Sequence, residues 1–436
     1  WFLVPAYSAM WDFIDLRLSF FENPEIFLFL LGLLIFTSAI AGVYPSLYVS
    51  SFQPVTILRG TVKIGKTSVL SRILLGSQFA LTVIALISSL AFLRNAQYQR
   101  EIDIGFDKSN VIWVRVANQS EFERLKNRAD QLKDIKMAAG TEEHIGAWTY
   151  GRTLTHADKE IEASMLDLGV DYVEMMDVDL VEGRLWKEDL YEHDRENSIL
   201  VNETLVREMG WEKPLGQYVQ VDDSTRLTVV GVLKNIHLWG FWEPVDPMGF
   251  RPANDENYNF LVVKSQPGKT LAVRDQLEEL WYEIEPNKPF NAGLQDDYME
   301  ETLLVNNNIV TIFSFTGILA MILSIIGMYT LVSLSIIRRV KEIGVRKVLG
   351  ARIHQIISLM NRQFYWILLI SALLGGAASY FAIDALLASI FAYYLTISLI
   401  TVLIPVLVLT VVALSISSGK IFTAAIKNPV NSLRYE

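Results

Sequence analysis

Long apolar runs on either side of one polar block constrain this chain more than any other feature. Apolar runs cover residues 27–49, 73–93, 309–337, 364–390 and 395–416. Each is at or above the roughly 18 residues that indicate a membrane-spanning helix. The polar block lies between the second and third runs. The sequence therefore predicts an α-helical transmembrane bundle with one large domain outside the lipid bilayer.

The polar block, residues 105–304, combines strand-like and helix-like patterns. Runs rich in β-branched residues predict strands at residues 111–116, 198–202, 227–233 and 260–264. Helical periodicity predicts helices at residues 119–133 and 269–285. A domain that mixes both kinds of element belongs to the α+β class. The helix before it keeps its pattern through Arg100, so we expect a stalk that ends before Gly105.

The distribution of charge predicts the orientation in the membrane. The formal net charge is −10, and the acidic residues are concentrated in residues 94–304. Basic residues are in excess in the short segments 50–73, 338–362 and 420–436. Since short cytoplasmic loops carry an excess of Lys and Arg, these segments are expected in the cytoplasm and the acidic domain outside it. An acidic domain also argues against a nucleic-acid partner.

The most basic of these segments, residues 338–352, is the candidate functional site. It holds six basic residues and one acid, Glu342, and follows a long apolar run directly. Apolar residues at 340, 343, 348 and 353 interleave with the charges, which predicts an amphipathic helix or short loop at the membrane surface. Two interpretations remain open at this point. The segment is either a topology anchor or a docking surface for a soluble partner.

Enzymatic chemistry has little support in the sequence. The chain has no cysteine and five scattered histidines. His144 and His156, with acidic residues nearby, are a candidate metal site, but their spacing matches no common zinc pattern, and solvated loop residues are the preferred interpretation. Residues 60–67 match Gly-x-x-x-x-Gly-Lys-Ser/Thr. Because a phosphate-binding loop must follow a buried strand and open a helix, this match between two apolar runs is interpreted as accidental.

A short repeat suggests duplication. Pro-Val-x-x-Leu-Arg occurs at residues 54–59 and again at residues 429–434. Both copies follow a run that is predicted to cross from outside to inside. We therefore expect residues 1–59 to be the tail of a first unit whose beginning lies upstream of Trp1. The rest of the chain is expected to form a second, complete unit.

The chain resembles ABC-transporter permeases of the FtsX/MacB type, especially double-length ones. The resemblance rests on residues 339–351, which read Arg-x-Lys-Glu-Ile-Gly-x-Arg-Lys-x-x-Gly-Ala, and on Gly-Phe-Asp-Lys-x-Asn-Val at residues 105–111. Further matching stretches are residues 181–184, 199–203, 214–216 and 229–237.

The resemblance implies a division of the chain. Residues 1–59 would be the tail of a first permease unit, with its last transmembrane helix at 27–49. Residues 60–104 would be a cytoplasmic linker, a transmembrane helix and the stalk. Residues 105–304 would be a MacB-like periplasmic core domain. Residues 305–436 would be an FtsX-like transmembrane domain with three helices and the cytoplasmic coupling segment 338–352.

The resemblance also implies a function. It describes a multi-pass protein of the bacterial inner membrane that transmits ATP-driven movement to its periplasmic domain, for export or extraction of peptides, drugs or lipoproteins. The chain itself would be non-catalytic and hold no cofactor or metal. ATP would bind to a separate cytoplasmic ATPase subunit, in two copies. The residues implied to couple to that subunit are Arg339, Lys341, Glu342, Gly344, Arg346, Lys347, Gly350 and Ala351.

Other partners and functions stay open at this stage. The resemblance allows a periplasmic adaptor or substrate protein as a further partner, besides the lipid bilayer. Within the same family, regulation of cell-wall hydrolases is an alternative to export. An extracytoplasmic ligand sensor is an alternative of another class, although no linked kinase or cyclase is present in the sequence.

Overall fold

The computed structural model describes residues 3–11, 23–50, 69–222 and 224–426. The repeated Pro-Val-x-x-Leu-Arg motifs and the string at residues 60–67 lie outside the described residues. The described chain divides into two compact units. The first unit draws on Trp1–Ala85, Gly317–Gly376 and Ile404–Glu436, and the second on Leu86–Thr316 and Ala377–Leu403. Each is described below by itself.

The helices fall into two groups by length. The long ones are α2 (Pro24–Ser50), α3 (Val69–Glu101), α9 (Gln295–Val348), α10 (Ile353–Ile390) and α11 (Leu399–Ala425). The short ones are α1 (Leu3–Ser8), α4 (Gln119–Ala129), α5 (Tyr172–Met175), α6 (Tyr191–Asn197), α7 (Glu203–Met209) and α8 (Thr270–Ile284). Short 3₁₀ turns occupy Glu188–Leu190 and Asp255–Asn257.

Four of the long helices in the described part of the chain are long and apolar enough to cross a membrane: Val69–Glu101, Leu303–Val348, Ile353–Ile390 and Leu399–Ala425. The 33 residues of α3 correspond to about 50 Å, more than the roughly 30 Å of a hydrocarbon core. The predicted continuation of this helix beyond its apolar run is confirmed, and its role as a stalk outside the membrane stays a prediction. The predicted span at residues 27–49 falls within α2, and its membrane crossing stays a prediction.

Small residues let the helices of the first unit pack closely. A Cβ added to Gly375 of α10 would lie 2.7 Å from the carbonyl oxygen of Ala80 in α3. One turn earlier, Ser371 donates a hydrogen bond from Oγ to the carbonyl oxygen of Gly76 at 2.7 Å. Helices that lack bulky side chains at their contact can approach in this way in lipid. Gly375 thus allows α3 and α10 to approach each other closely.

Two sheets form the extramembrane domain of the second unit. The strands are β1 (Val111–Arg115), β2 (Ile135–Thr141), β3 (Tyr150–His156), β4 (Lys159–Leu168), β5 (Leu180–Gly183), β6 (Ser198–Asn202), β7 (Tyr218–Gln220), β8 (Arg226–Leu233), β9 (Met248–Pro252), β10 (Phe260–Ser265) and β11 (Ala292–Leu294). The smaller sheet has the order β11-β1-β10-β2, with every neighbouring pair antiparallel. Helices α4 and α8 cover it through a core that includes Phe122, Leu277 and Trp281.

The larger sheet closes on itself. Its order is β5-β8-β6-β9-β4-β3-β7, and β7 also pairs with β8. Six strands therefore form a small barrel, and β5 lies outside the ring against β8. Closure removes unpaired strand edges, which would otherwise attract other chains. The interior is filled by apolar side chains such as Leu154, Met165, Val201 and Leu227.

The predicted α+β class and the transmembrane bundle are thus confirmed, with small errors at element ends. The four predicted strands match β1, β6, β8 and β10 to within one residue, and the second predicted helix matches α8. The first, predicted to reach residue 133, ends at Ala129. It ends early because the chain turns there, with Leu132 N–H bonded to the Ala129 carbonyl oxygen, before β2 pairs with β10.

Candidate functional site

A distinct helix occupies most of the predicted coupling segment. The long helix α9 loses helical geometry at Arg339, where φ is −114° and ψ is 15°, so residues 340–348 form a separate helix, here named the coupling helix. Gly350, with φ of 86°, ends it. The N–H of Gly350 bonds to the Lys347 carbonyl oxygen and the N–H of Ala351 to that of Arg346, which is the Schellman arrangement of a helix C-terminus.

The coupling helix is attached to the rest of the first unit on one side. Ile343 is buried and lines a narrow cleft together with Ile356 and Met360 of α10. Lys347 donates a hydrogen bond from Nζ to the carbonyl oxygen of Ala425, the last residue of α11, at 2.7 Å. A cation at a helix C-terminus satisfies an unpaired carbonyl and complements the helix dipole. These contacts fix the coupling helix before any partner binds.

The other side of the coupling helix is open. The side chains of Val345, Val348 and Leu349 are exposed, and Leu349 retains 80% of its accessible surface. Glu342 and Arg346 form an ion pair at 2.9 Å along the same helix. An exposed apolar group that is bordered by charges is typical of a protein-binding or membrane-surface helix. The predicted amphipathic character is therefore present in the structure.

The eight residues of the predicted coupling site divide by their contacts in the chain. Gly344 is buried, and Lys347, Gly350 and Ala351 serve the local structure described above. Arg339 lies at the kink, while Lys341 is exposed and Glu342 pairs with Arg346. The role of all eight in binding an ATPase stays a prediction.

Sequence reasoning missed a second group of residues, in the second unit. The carboxamides of Asn95 and Gln99 on α3 and of Asn306 on α9 are buried. Gln99 donates from Nε2 to the Tyr393 carbonyl oxygen at 2.9 Å, and its Oε1 accepts from Asn306 Nδ2 at 2.7 Å. Asn95 Oδ1 accepts from the N–H of Leu395 at 2.9 Å. These bonds join α3 and α9 to the turn that follows α10.

The same turn is bound to the extramembrane domain. The N–H groups of Ala392 and Tyr393 both bond to the carbonyl oxygen of Phe241. The Tyr393 hydroxyl accepts from the N–H of Val245, and its ring packs edge-on against His237, with the ring centres 4.7 Å apart. We name the three amides, the turn at 391–395 and the loop at 237–245 the collar. The amides at 95, 99 and 306, next to the apolar runs of α3 and α9, are the signal from which it could have been found.

His144 is not the solvated loop residue that the sequence suggested. It is 2% exposed, and both ring nitrogens have partners. Nδ1 lies 2.7 Å from the Tyr172 hydroxyl, and Nε2 lies 2.6 Å from Oε1 of Gln295. His156 instead bonds through Nδ1 to the Tyr218 carbonyl oxygen. Among the described residues, no three His, Cys, Asp or Glu side chains converge on a metal position, so the candidate metal site is not formed.

A group of acids, of which Glu143 is buried and Glu142 and Asp167 are half-buried, lies beside His144. Burial raises the pKa of Glu143 to about 7, although its carboxylate accepts a hydrogen bond from the N–H of Asp167. Burial also raises the pKa of Asp167, which accepts a hydrogen bond from the Tyr150 hydroxyl, and that of Glu142. In contrast, burial lowers the pKa of His144 to about 4, against a smaller opposing effect of the bond to Gln295. The two neighbours therefore titrate in opposite senses.

We expect the opposite shifts to offset each other in the native protein. The raised pKa of Glu143 contributes stability that is present below about pH 4.5 and lost as the pH rises to about 7. The lowered pKa of His144 contributes stability that is present above about pH 6.5 and lost as the pH falls to about 4. Glu143→Gln should therefore lose stability on acidification, and His144→Gln on alkalinisation. Because one pKa unit corresponds to about 1.4 kcal/mol, each effect reaches at most about 3 kcal/mol.

The measurement is the thermal unfolding midpoint of the full chain in detergent from pH 4.5 to 7.5. His193→Gln, at an exposed position in α6, is the matched control and should leave the pH profile of the native protein unchanged. Parallel profiles for the native chain and the two buried variants would contradict the opposed titrations.

Two family models match this chain. A model described as MacB-like periplasmic core domain matches residues 79–280. A model described as FtsX-like permease C-terminal matches residues 314–427, which include the coupling helix.

Curated relatives share the same regions at low identity. The chain is similar to the macrolide export ATP-binding/permease protein MacB of Neisseria gonorrhoeae, with 23% identity over 237 residues, 52% of this chain and 37% of the relative. It is also similar to the probable syringafactin export ATP-binding/permease protein SyfD of Pseudomonas syringae pv. tomato, with 23% identity over 226 residues, 50% of this chain and 33% of that relative. The chain thus spans little more than a third of the length of these relatives.

A solved structure is also similar. The periplasmic region of MacB from Actinobacillus actinomycetemcomitans superposes with a TM-score of 0.36 and 16% sequence identity, covering 47% of this chain and 98% of that one.

Proposed function

Because this chain is an FtsX/MacB-like permease, a multi-pass membrane protein with a MacB-like periplasmic core domain, we propose that it is the permease component of an ABC export system. In this proposal, ATP-driven movement of a cytoplasmic ATPase enters through the coupling helix and is transmitted to the periplasmic domain. ATP binds to the ATPase, in two copies, and not to the residues described here. We propose that the ATPase is a separate subunit, whereas the two relatives are named ATP-binding/permease proteins.

The coupling helix is the observation that carries the proposal. It is held by Ile343 and Lys347 on one side and exposes Val345, Val348 and Leu349 on the other. A fixed helix loses little conformational freedom when a partner binds, so more of the contact energy appears as affinity. The positive-inside rule places this helix on the cytoplasmic side, where an ATPase is accessible.

The route of transmission is supported by helix continuity and by the collar. Helix α3 continues from Val69 to Glu101, and α9 begins at Gln295, directly after a strand of the periplasmic domain. The collar joins both helices and the 391–395 turn through buried hydrogen bonds. A stiff element transmits a rigid-body displacement when its ends are attached to the parts that move.

Export of drugs or peptides is the task that we propose. The printed names of the two relatives, macrolide export and syringafactin export, favour export over regulation of cell-wall hydrolases. No described residue favours the extraction of lipoproteins or a periplasmic adaptor protein. A sensor would not need a fixed apolar docking helix on the cytoplasmic side.

The docking role can be tested with charge substitutions on the exposed face. Val348→Glu and Leu349→Glu place carboxylates where apolar contacts with the ATPase are proposed, without changing a buried residue. Each should weaken association with the ATPase by about tenfold, because an apolar contact of roughly 1–2 kcal/mol is lost. The measurement is the amount of ATPase that co-purifies with the full chain, together with the ATP hydrolysis rate of the complex.

Leu271→Glu is the matched control, since Leu271 is also exposed but belongs to α8 of the periplasmic domain. It should leave ATPase association unchanged. If Val348→Glu and Leu349→Glu also co-purify with the ATPase at the native ratio, the coupling helix is not its docking surface.

A further inference from the structure

A cavity of about 300 Å³ lies in the periplasmic domain, between β11 and the loop that follows β2. Its lining includes Trp113, His144, Ala147, Phe260, Gln295 and Asp297. A volume of this size lies at the lower end of the range for small-molecule sites. Gln295 is the first residue of α9, so an occupant of the cavity would contact the beginning of the helix that continues into the membrane.

One wall of the cavity is aromatic and held in place. Trp113 of β1 pairs with Gly293 of β11 in the smaller sheet. A Cβ added to Gly293 would lie 2.5 Å from Cζ2 of Trp113, so the indole occupies the space that a side chain would fill. The ring of Phe260 stands edge-on to the indole, with the ring centres 6.1 Å apart. Aromatic walls favour apolar rings and cations and have no net charge to attract anions.

The floor of the cavity is polar, but its hydrogen-bonding groups already have partners within the protein. The Ile145 N–H donates to the Tyr172 hydroxyl, which lies within hydrogen-bond distance of Nδ1 of His144. Nε2 of His144 pairs with Oε1 of Gln295, and Nε2 of Gln295 donates back to the Ile145 carbonyl oxygen at 2.9 Å. This closed ring of hydrogen bonds begins and ends at Ile145. A ligand therefore gains little from hydrogen bonding to it and meets it as a fixed, uncharged surface.

The charge among the lining residues is at the mouth of the cavity. Asp297 is exposed and lines the cavity, whereas the neighbouring Asp296 does not line it and lies 4.0 Å from Lys108. We propose that this cavity binds a small molecule that combines an apolar ring with a protonated amine. The ring would occupy the space beside Trp113 and Phe260, and the amine would lie near Asp297. This proposal does not depend on which ATPase or cargo the permease serves.

The test measures binding of matched naphthalene compounds to the full chain in phosphatidylcholine nanodiscs, with empty nanodiscs as the reference. The probe is 1-naphthylmethylamine, and the neutral comparison is 1-naphthalenemethanol. We expect the amine to bind the native chain roughly three- to fivefold more tightly than the alcohol, the size of a partly exposed charge contact. Saturation-transfer NMR of the ligand signals gives both affinities.

Three variants locate the binding. Ala147→Trp fills the cavity from an exposed loop position. It should weaken binding of the amine by more than about tenfold, because the naphthalene ring can no longer be buried. Asp297→Asn should remove the preference for the amine, and Asp296→Asn, the matched control, should retain it. Equal binding of amine and alcohol to the native chain would overturn the proposed ligand class. Native affinity of Ala147→Trp for the amine would overturn the site.

Discussion

Replacing Gln99 with leucine is expected to uncouple the permease. Gln99 is 1% exposed and bonds to both the Tyr393 carbonyl oxygen and the Asn306 amide. Leucine fills a similar volume but leaves both groups buried without that partner, at about 1–3 kcal/mol each. The collar should therefore open, while the coupling helix, which belongs to the other unit, remains intact. We expect ATP hydrolysis to persist. The equilibrium constant for the ATP-dependent movement of the periplasmic domain should fall by about a hundredfold.

Two measurements separate these effects. Hydrogen exchange at residues 391–395 reports whether the turn is released, and it should accelerate in Gln99→Leu. Since the chain has no cysteine, spin labels can be placed at introduced cysteines, one at exposed Leu271 and one at exposed Val69. Their distance with and without ATP reports movement of the periplasmic domain.

Gln97→Leu is the matched control for this prediction. Gln97 lies two residues earlier on α3 and is exposed, so the same substitution there leaves the collar intact. It should keep native hydrogen exchange and native ATP-dependent distances. If Gln99→Leu releases the turn yet keeps the full ATP-dependent change in distance, the collar is not part of the transmission route.

The collar shows where prediction from sequence ends. The length of the apolar runs identified α3, α9 and α10, because a helix that crosses lipid must be apolar along a length that is easily counted. It could not show that Asn95, Gln99 and Asn306 converge, because Asn306 is distant in sequence from the other two, and Asn95 and Gln99 bond to backbone atoms of the 391–395 turn. Packing between elements decides such contacts, and local patterns do not encode it.

The coupling segment was more predictable, because its structure is local. The interleaving of charged and apolar residues indicated an amphipathic helix or short loop. The kink at Arg339 and the contact of Lys347 with α11 depend on neighbouring helices and were not foreseen. For His144, the prediction from the sequence was wrong. A polar sequence around His144 suggested a solvated loop, whereas Tyr172 and Gln295 complete a buried hydrogen-bond ring.

The motif Val-x-Gly-Arg at residues 181–184 has a structural explanation that leads to the largest expected loss of stability. Arg184 donates two hydrogen bonds to the carboxylate of Asp194, both at 2.7 Å, and Asp194 is fully buried. Gly183, with φ of 89°, lets the chain turn at that point, since a Cβ there would lie 2.3 Å from the Val230 carbonyl oxygen. In this motif, Arg184 thus pairs with a buried acid, and Gly183 forms the turn that precedes it.

Arg184→Met is therefore expected to destabilise the periplasmic domain by about 3–5 kcal/mol, because the charge of Asp194 stays buried without its partner. For a domain of this size the thermal midpoint should fall by roughly 10 °C. Arg195→Met, which removes an ion pair with exposed Glu192, is the matched control and should cost less than about 1 kcal/mol. The double variant Arg184→Met/Asp194→Leu removes both charges and should recover most of the loss, because the cost comes from the unpaired carboxylate and not from the missing bonds. Thermal unfolding of the native chain and the three variants measures this recovery, and a double variant no more stable than Arg184→Met would show that Arg184 stabilises the domain by a different interaction.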